Sequence, residues 1–237
     1  MNVGPSIRHA WIAYCALALG SQVMRADAQS APEAIAQPNS YVKRLEAALL
    51  LQTLNAALLS HDSATTTLEG WCAVHQLASP ARITAERVRN AEKPATEAQR
   101  QRLRLAPADE LRFRRVRLLC GTVVLSEADN WYVAARLTPE MNKLLDTTDT
   151  PFGRAAQPLH FQRHTISSEV LWQLLPEGWE MKPSSETADR HDLCAPPQVL
   201  RHRALLTLPD GTPFSEVVET YTSNVLAIAR LGPVHPC

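Results

Sequence analysis

Alternating hydrophobic and polar positions are clearest in residues 113–133, where they predict a β-hairpin. In the first half, one set of alternate positions holds Arg114, Val116, Leu118 and Cys120, and the other holds Phe113, Arg115, Arg117 and Leu119. A period of two with a Val/Leu/Cys face is typical of a strand packed against a core. Gly121 permits a tight reversal. Residues 123–133 are rich in β-branched and aromatic side chains, which favour a second strand.

Helical spacing of leucines predicts an amphipathic helix over residues 41–60. Asp62 and Ser63 suit the end of that helix and the N-cap of a second one over residues 64–76. Thr138, Pro139 and Glu140 form a further helix start, because a hydroxyl cap, a proline and an acid suit the first turn. Residues 150–153 read Thr-Pro-Phe-Gly, which predicts a turn.

The remaining patterns complete a single predicted domain over residues 41–237. Residues 83–89 predict a strand at an edge or solvent face of the sheet. Residues 92–101 predict a loop or a frayed helix. Residues 159–166 predict a strand, which is followed by a short predicted helix over residues 168–174. Residues 201–208 and 214–223 flank Asp210 and Gly211 and predict a second hairpin. Helices followed by hairpins indicate an α+β fold with an antiparallel sheet.

Composition fits an ordinary globular domain and argues against partners that bind through overall charge. Of the 237 residues, 45% are hydrophobic and 20% charged, enough for one well-buried core. The 24 Lys and Arg residues balance the 24 Asp and Glu residues. No overall field would draw the protein to nucleic acid or to an anionic membrane, so we expect neither partner.

The N-terminus has the pattern of a secretory signal peptide. Arg8 and His9 precede an apolar run over residues 10–20, and Ala26 and Ala28 provide a small-x-small cleavage site. We expect residues 1–28 to be removed, residues 29–40 to form a flexible leader, and the mature chain to be periplasmic or secreted, without stable membrane insertion. Two alternatives stay open: an uncleaved anchor, and a cytoplasmic form that starts at Met24.

Cysteine positions leave the disulfide pattern open. Cys15 lies in the predicted signal peptide, and the other four cysteines of an exported chain allow three pairings. We favour a bond between Cys194 and Cys237, which lie in proline-rich segments, and interpret Cys72 and Cys120 as small buried hydrophobic residues. No CxxC motif is present to indicate redox chemistry or zinc.

Two further groups of residues have a weak functional signal. His160 and His164 would be about 13 Å apart along a strand, too far to share a metal ion. Glu127 and Asp129 could serve as acid and base, although solvated edge charges explain them equally well. We therefore expect no metal site and no cofactor.

Four short motifs, in order within residues 45–228, resemble the chorismate pyruvate-lyase family. They are Asp62 to Thr65 after a leucine-rich helix, Arg115 to Cys120, the Thr-Pro-Phe-Gly-Arg sequence at 150–154, and the final hairpin around Asp210 and Gly211. The resemblance implies a chorismate-lyase-like fold with about six antiparallel strands flanked by helices. It also implies a lyase that converts chorismate to 4-hydroxybenzoate and pyruvate without a cofactor.

The same resemblance implies a set of site residues. The substrate carboxylate would be held by Arg115 and by the backbone amide of Phe152, and its ring hydroxyl by Glu219, which makes Arg115 and Glu219 the candidate catalytic residues. Ala64 takes a substrate-binding position where the family has methionine. Glu219 lies one residue further from the hairpin turn than the family spacing predicts, so a bulge is needed and Glu216 is a possible substitute.

The family's Gly-Arg pair is absent, and Ala128 and Asp129 occupy its place. Export also separates this chain from chorismate, which is made inside cells. Two other functions therefore stay open: a non-catalytic periplasmic module that binds a small aromatic carboxylate in the same pocket, and an exported structural or assembly partner. The sequence specifies no oligomeric state.

Overall fold

The computed structural model describes residues 40–181, 194–227 and 235–236. These residues belong to one compact unit, Pro38–Cys237. The α-helices in the described ranges are α1 (Ser40–Leu59), α2 (Ala64–Val74), α3 (Glu97–Arg102), α4 (Pro139–Thr147) and α5 (Phe152–Ala155). The strands are β1 (Ile83–Arg87), β2 (Leu111–Cys120), β3 (Val123–Val133), β4 (Gln162–Val170), β5 (Cys194–Ala195), β6 (Gln198–Thr207), β7 (Pro213–Thr222) and β8 (His235–Pro236).

Six of these strands form one sheet in the order β1-β2-β3-β7-β6-β4, and every neighbouring pair is antiparallel. Both predicted hairpins, β2-β3 and β6-β7, are present, and they meet at the centre of the sheet. β5 and β8 form a separate parallel pair. The α+β class and a six-stranded antiparallel sheet with helices are thereby confirmed.

The tight reversal between β2 and β3 depends on Gly121. Its φ of +59° lies in the left-handed region, and a Cβ at this position would lie 2.8 Å from the Cβ of Ala78. Glycine satisfies both constraints because it has no side chain. The β2-β3 pairing then runs from Cys120 opposite Val123 out to Leu111 opposite Val133.

One sheet face carries the main hydrophobic core. The leucines on the inner side of α1 and α2 are fully buried against Val116, Leu118 and Tyr221 of the sheet. They are Leu51, Leu54, Leu58 and Leu68. Ser63 caps α2 as predicted, accepting a hydrogen bond from the backbone N–H of Thr66 at 3.3 Å. A second apolar cluster joins α4, α5 and the ends of β3, β6 and β7, and includes Met141, Leu145, Phe161, Leu206 and Phe214.

Three local predictions need adjustment. The helix predicted over residues 168–174 is wrong, because β4 continues to Val170 and pairs with Leu200, and the Leu171 N–H then donates to the Val199 carbonyl at 2.9 Å. Sheet hydrogen bonds from β6 decide this segment, and its own pattern could not reveal that partner. Residues 92–101 contain the start of α3, capped by Thr96. Pro151, in the predicted turn, becomes the N-cap of α5.

A disulfide bond joins Cys72 of α2 to Cys120 of β2, with their Cα atoms 6.2 Å apart. Both residues are fully buried, as expected, but they form a disulfide and are not simply small hydrophobic side chains. With a sequence separation of 48, the chain-entropy model assigns such a bond about 4 kcal/mol. Cys237 lies outside the described residues, so its pairing with Cys194 stays a prediction.

The predicted signal peptide and nearly all of the leader also lie outside the described residues. Within the described ranges, no helix has the length and apolar character that crossing a membrane requires.

Candidate functional site

A cavity lies on the helix-covered face of the sheet, where the two apolar clusters meet. The empty space between its lining atoms, including its mouth, is about 490 Å³. Its lining is apolar on most sides and polar at a few points. The residues are Asp62, Ser63, Ala64, Thr65, Arg114, Val116, Leu118, Ala128, Asn130, Phe152, Gly153, Phe161, Arg163, Leu206, Val217 and Glu219.

Arg114 is the buried cation of this cavity, with only 3% of its surface exposed. It lies on the face of β2 that also carries Val116 and Leu118. Its Nη1 and Nη2 donate to the Thr150 carbonyl at 3.3 and 3.2 Å, and its Nε has no acceptor among the described residues. Burial lowers the pKa of Arg114, but a guanidinium remains protonated. No described carboxylate lies within ion-pair distance of it.

A second charged group in the cavity is balanced internally. Glu219 accepts hydrogen bonds from Arg163 Nη2 at 2.6 Å and from the Tyr221 hydroxyl at 3.0 Å, both at Oε2. Burial lowers the pKa of Arg163, but the Glu219 carboxylate outweighs that effect and raises it. Burial, reinforced by Glu219, raises the pKa of Tyr221 well above its usual range. The three side chains therefore form a fixed, hydrogen-bonded cluster.

The starts of α2 and α5 form the rest of the cavity wall. A Cβ on Gly153 would lie 2.9 Å from both the Ser63 and Thr65 hydroxyl oxygens, so this close approach requires glycine. Arg154 fixes the arrangement, since its guanidinium donates to Glu69 of α2 and, at 3.0 Å, to the Ile83 carbonyl of β1. The Thr-Pro-Phe-Gly-Arg motif thus joins α5 to α2 and to the sheet.

Three of the four residues transferred from the resemblance line the cavity: Ala64, Phe152 and Glu219. Arg115 does not. It lies on the opposite face of β2, where Nε and Nη2 bind the Asp129 carboxylate at 2.5 and 2.8 Å. Lys93 binds the same carboxylate at 2.9 Å. Arg115 is thus part of an ion-pair cluster on the other side of the sheet.

The neighbouring Arg114 occupies the cavity position that the resemblance implies for Arg115. Counting five residues back from Cys120 selects Arg115, but the alternation of β2 places Arg114 with the core residues. The register shift beside Leu118 skips Leu125 of β3, so the alternation of β2 from Arg114 to Cys120 is unbroken and an odd count from Cys120 reaches the opposite face. The period of two was the signal in the sequence that pointed to Arg114.

The other sequence candidates also lie outside the cavity. Glu216, the possible substitute for Glu219, is fully buried on the opposite sheet face and binds Arg102 through two hydrogen bonds of 2.8 and 2.9 Å. Glu127 is exposed, and Asp129 is held by its two cations. His164 lies 3.0 Å from the Thr207 hydroxyl. The described residues contain no cluster of three His, Cys, Asp or Glu side chains placed to hold a metal.

Sequence comparison connects this chain to a protein family. It is 50% identical over 190 residues, 80% of each chain, to the uncharacterized protein y4mC of Sinorhizobium fredii. Identity at this level over this span shows that the chain belongs to the same family as y4mC. No family model matches the sequence.

Solved structures give only distant likenesses. The effector domain of PhnF from Mycobacterium smegmatis matches 69% of this chain and 90% of its own at 11% identity and a TM-score of 0.42. The ligand-binding domain of a putative GntR-family transcriptional regulator from Bordetella bronchiseptica matches 60% of this chain and 84% of its own at 12% identity and a TM-score of 0.39. Nothing about function follows from similarity at this level.

His202 lies behind the cavity, opposite Glu219 across the β6-β7 pair. It is completely buried, its Nε2 donates to Asn55 Oδ1 at 2.8 Å, and its ring meets Tyr221 edge-on at 5.5 Å. Nδ1 has no partner among the described residues, which fits a neutral imidazole. Burial, reinforced by Arg163, lowers the pKa of His202 to about 4, although Glu219 acts in the opposite direction.

This burial predicts acid sensitivity. At pH 7, His202 is neutral in both the folded and the unfolded chain. Below pH 6.5 the unfolded chain takes up a proton that the folded chain refuses until about pH 4, so stability falls across this window. At pH 4.5 the loss from this residue should be about 2 to 3 kcal/mol. Urea unfolding at pH 7 and pH 4.5 should show a smaller acid loss in His202→Gln; an equal loss in both proteins would contradict the assignment.

Proposed function

We propose that this chain binds a small aromatic carboxylate in the cavity. The observation that carries the proposal is Arg114, a buried cation that faces the cavity without a carboxylate partner. A charge removed from water needs a counter-charge or hydrogen bonds to offset the lost hydration. A ligand carboxylate would supply both, and a guanidinium binds carboxylates through directional hydrogen bonds.

The rest of the cavity suits a ring that carries a hydroxyl. Val116, Leu118, Phe161 and Val217 provide apolar walls. Glu219 lies two strands across from Arg114, roughly 10 Å, and two residues along, roughly 7 Å. A ligand with a carboxylate at one end would therefore meet the Glu219 cluster at the other. Its hydroxyl could donate to Glu219 and accept from Arg163.

Adjacent arginines on opposite sheet faces provide a matched test. Arg114→Met should weaken binding of 4-hydroxybenzoate by about 30-fold to several thousand-fold, since a lost buried charge contact is typically about 2 to 5 kcal/mol. Arg114→Lys should recover part of the affinity, because an ammonium cannot reproduce the guanidinium geometry. Arg115→Met should leave the affinity within about threefold of wild type. Isothermal titration calorimetry at pH 7 measures all three.

A second observable separates binding from folding. Arg114→Met removes a buried, unpaired charge, so its thermal stability without ligand should be equal to or above that of wild type. Tight binding by folded Arg114→Met, or a loss confined to Arg115→Met, would show that Arg114 does not hold the carboxylate.

A second candidate function is elimination of pyruvate from chorismate. Its support is that Ala64, Phe152 and Glu219, three residues transferred from the lyase family, surround one cavity. Catalysis of this elimination needs mainly a positioned and polarised substrate, which a preorganised cavity can supply. The Glu219 carboxylate is already bound by Arg163 and Tyr221, which favours the binding function over this one.

Turnover distinguishes the two candidates. For an enzyme, incubation of the mature domain with chorismate releases pyruvate, and Glu219→Gln lowers kcat by more than it lowers affinity for 4-hydroxybenzoate. For a binding module, pyruvate release stays at the rate without protein while 4-hydroxybenzoate still binds. We expect the second result. Protein-dependent pyruvate release that is lost in Glu219→Gln would establish the lyase instead.

We also propose that the chain is exported and that its mature form begins at Gln29. The Cys72–Cys120 bond supports export, because structural disulfides are rare in reducing compartments. Intact-mass analysis and non-reducing peptide mapping of protein isolated from cells should show a chain that starts at Gln29 with Cys72 bonded to Cys120. A chain that starts at Met24 in the cytosolic fraction, with both thiols free, would contradict the proposal.

A further inference from the structure

Unpartnered hydrogen-bond donors are concentrated at the cavity. In the described part of the chain, five buried side-chain atoms have no partner, and three of them belong to cavity-lining residues. Those three are Arg114 Nε, Asn130 Nδ2 and Arg163 Nε, and all carry N–H groups. Because buried donors are nearly always paired, this set indicates a ligand rich in acceptor oxygens.

Asn130 is held next to Arg114 in a defined orientation. The two residues lie directly opposite each other in the β2-β3 pairing. Asn130 is only 4% exposed, and Ser215, fully buried, donates its hydroxyl proton to Asn130 Oδ1 at 2.5 Å. This bond occupies the amide oxygen, so the amide nitrogen is left to donate. Two donors without acceptors, Arg114 Nε and Asn130 Nδ2, therefore stand side by side on one strand pair.

We propose that Asn130 is the second donor to the ligand carboxylate and that Ser215 is a positioning residue that fixes its amide. This inference rests on the proposed function and adds to it a ligand class. The second donor is neutral, and Glu219 balances Arg163. The other acids that act on the two arginines, Asp62, Asp146 and Asp149, are exposed and screened by solvent. One unbalanced positive charge remains, on Arg114. The cavity therefore selects monocarboxylates over dicarboxylates such as chorismate.

Asn130→Leu tests the donor, because leucine has a similar size and leaves Arg114 unchanged. We expect 4-hydroxybenzoate to bind roughly 10- to 100-fold more weakly, equivalent to about 1.4 to 2.8 kcal/mol. Binding of p-cresol, in which a methyl group replaces the carboxylate, should change by less than about threefold. NMR titration of both ligands with one protein sample gives the two affinities, and wild type should bind 4-hydroxybenzoate at least about tenfold more tightly than terephthalate.

Ser215→Ala provides a second variant that retains the Asn130 side chain. The freed amide can rotate, so we expect a loss of roughly 3- to 10-fold for 4-hydroxybenzoate and none for p-cresol. Equal weakening of both ligands in either variant would show a packing role and overturn the inference.

The remaining outcomes separate the inference from the function on which it rests. If Asn130→Leu binds 4-hydroxybenzoate like wild type while Arg114→Met loses it, the carboxylate site stands and the role of Asn130 is wrong. If wild type binds terephthalate more tightly than 4-hydroxybenzoate, the inferred selection of monocarboxylates over dicarboxylates is wrong. If wild type binds neither 4-hydroxybenzoate nor terephthalate, the proposed function itself fails and the inference with it.

Discussion

Burial of the Arg114 guanidinium without a carboxylate partner is the constraint on which the cavity depends. The guanidinium stays charged, and its removal from water is unfavourable unless fixed polar groups replace the lost hydration. The Thr150 carbonyl replaces part of it. The apolar clusters on either side supply no polar atoms to replace the rest. The fold must supply the stability that offsets this unfavourable burial, and a bound anion would offset it directly.

Three connections hold the cavity walls in place around that charge. The Cys72–Cys120 bond ties α2 to β2, the strand that carries Arg114. Arg154 ties α5 to α2 and β1, and Gly153 allows the starts of α5 and α2 to approach closely. Because these connections link separate elements, the distance between donors on the sheet and the helix starts has little freedom to change. Such preorganisation reduces the ordering that a ligand would otherwise have to impose.

Charged side chains on one face of the central strands are paired with each other, whereas polar donors on the other face lack acceptors. On the outer face, Asp129 is paired with Arg115 and Lys93, and Glu216 with Arg102, so these groups satisfy one another within the protein. On the inner face, Arg114 Nε and Asn130 Nδ2 have no described acceptor. Charges that pair with one another contribute to folding and have little hydrogen-bonding capacity left for a ligand. Donors without acceptors in a cavity, in contrast, are available to bind one.

Local sequence patterns determined much of the fold by themselves. The alternation in β2 and β3, the reversal at Gly121, the caps at Ser63 and Thr138 and the hairpin of β6 and β7 depend on short-range sterics and hydrogen bonds, which neighbouring residues specify. The resemblance, which rests on the order of the motifs, also predicted that Ala64, Phe152 and Glu219 belong to one site. The structure places all three around one cavity.

Tertiary structure alone decided where the cavity forms and which cysteines pair. The alternation of β2 separates Arg114 from Arg115, but only the packing of the helices on the Arg114 face makes that face a cavity wall. The end of β4 likewise depends on β6, a strand about 30 residues away in the chain. The Cys72–Cys120 bond required α2 to lie on β2. Each of these outcomes depends on contacts between distant segments, and short-range patterns contain no information about them.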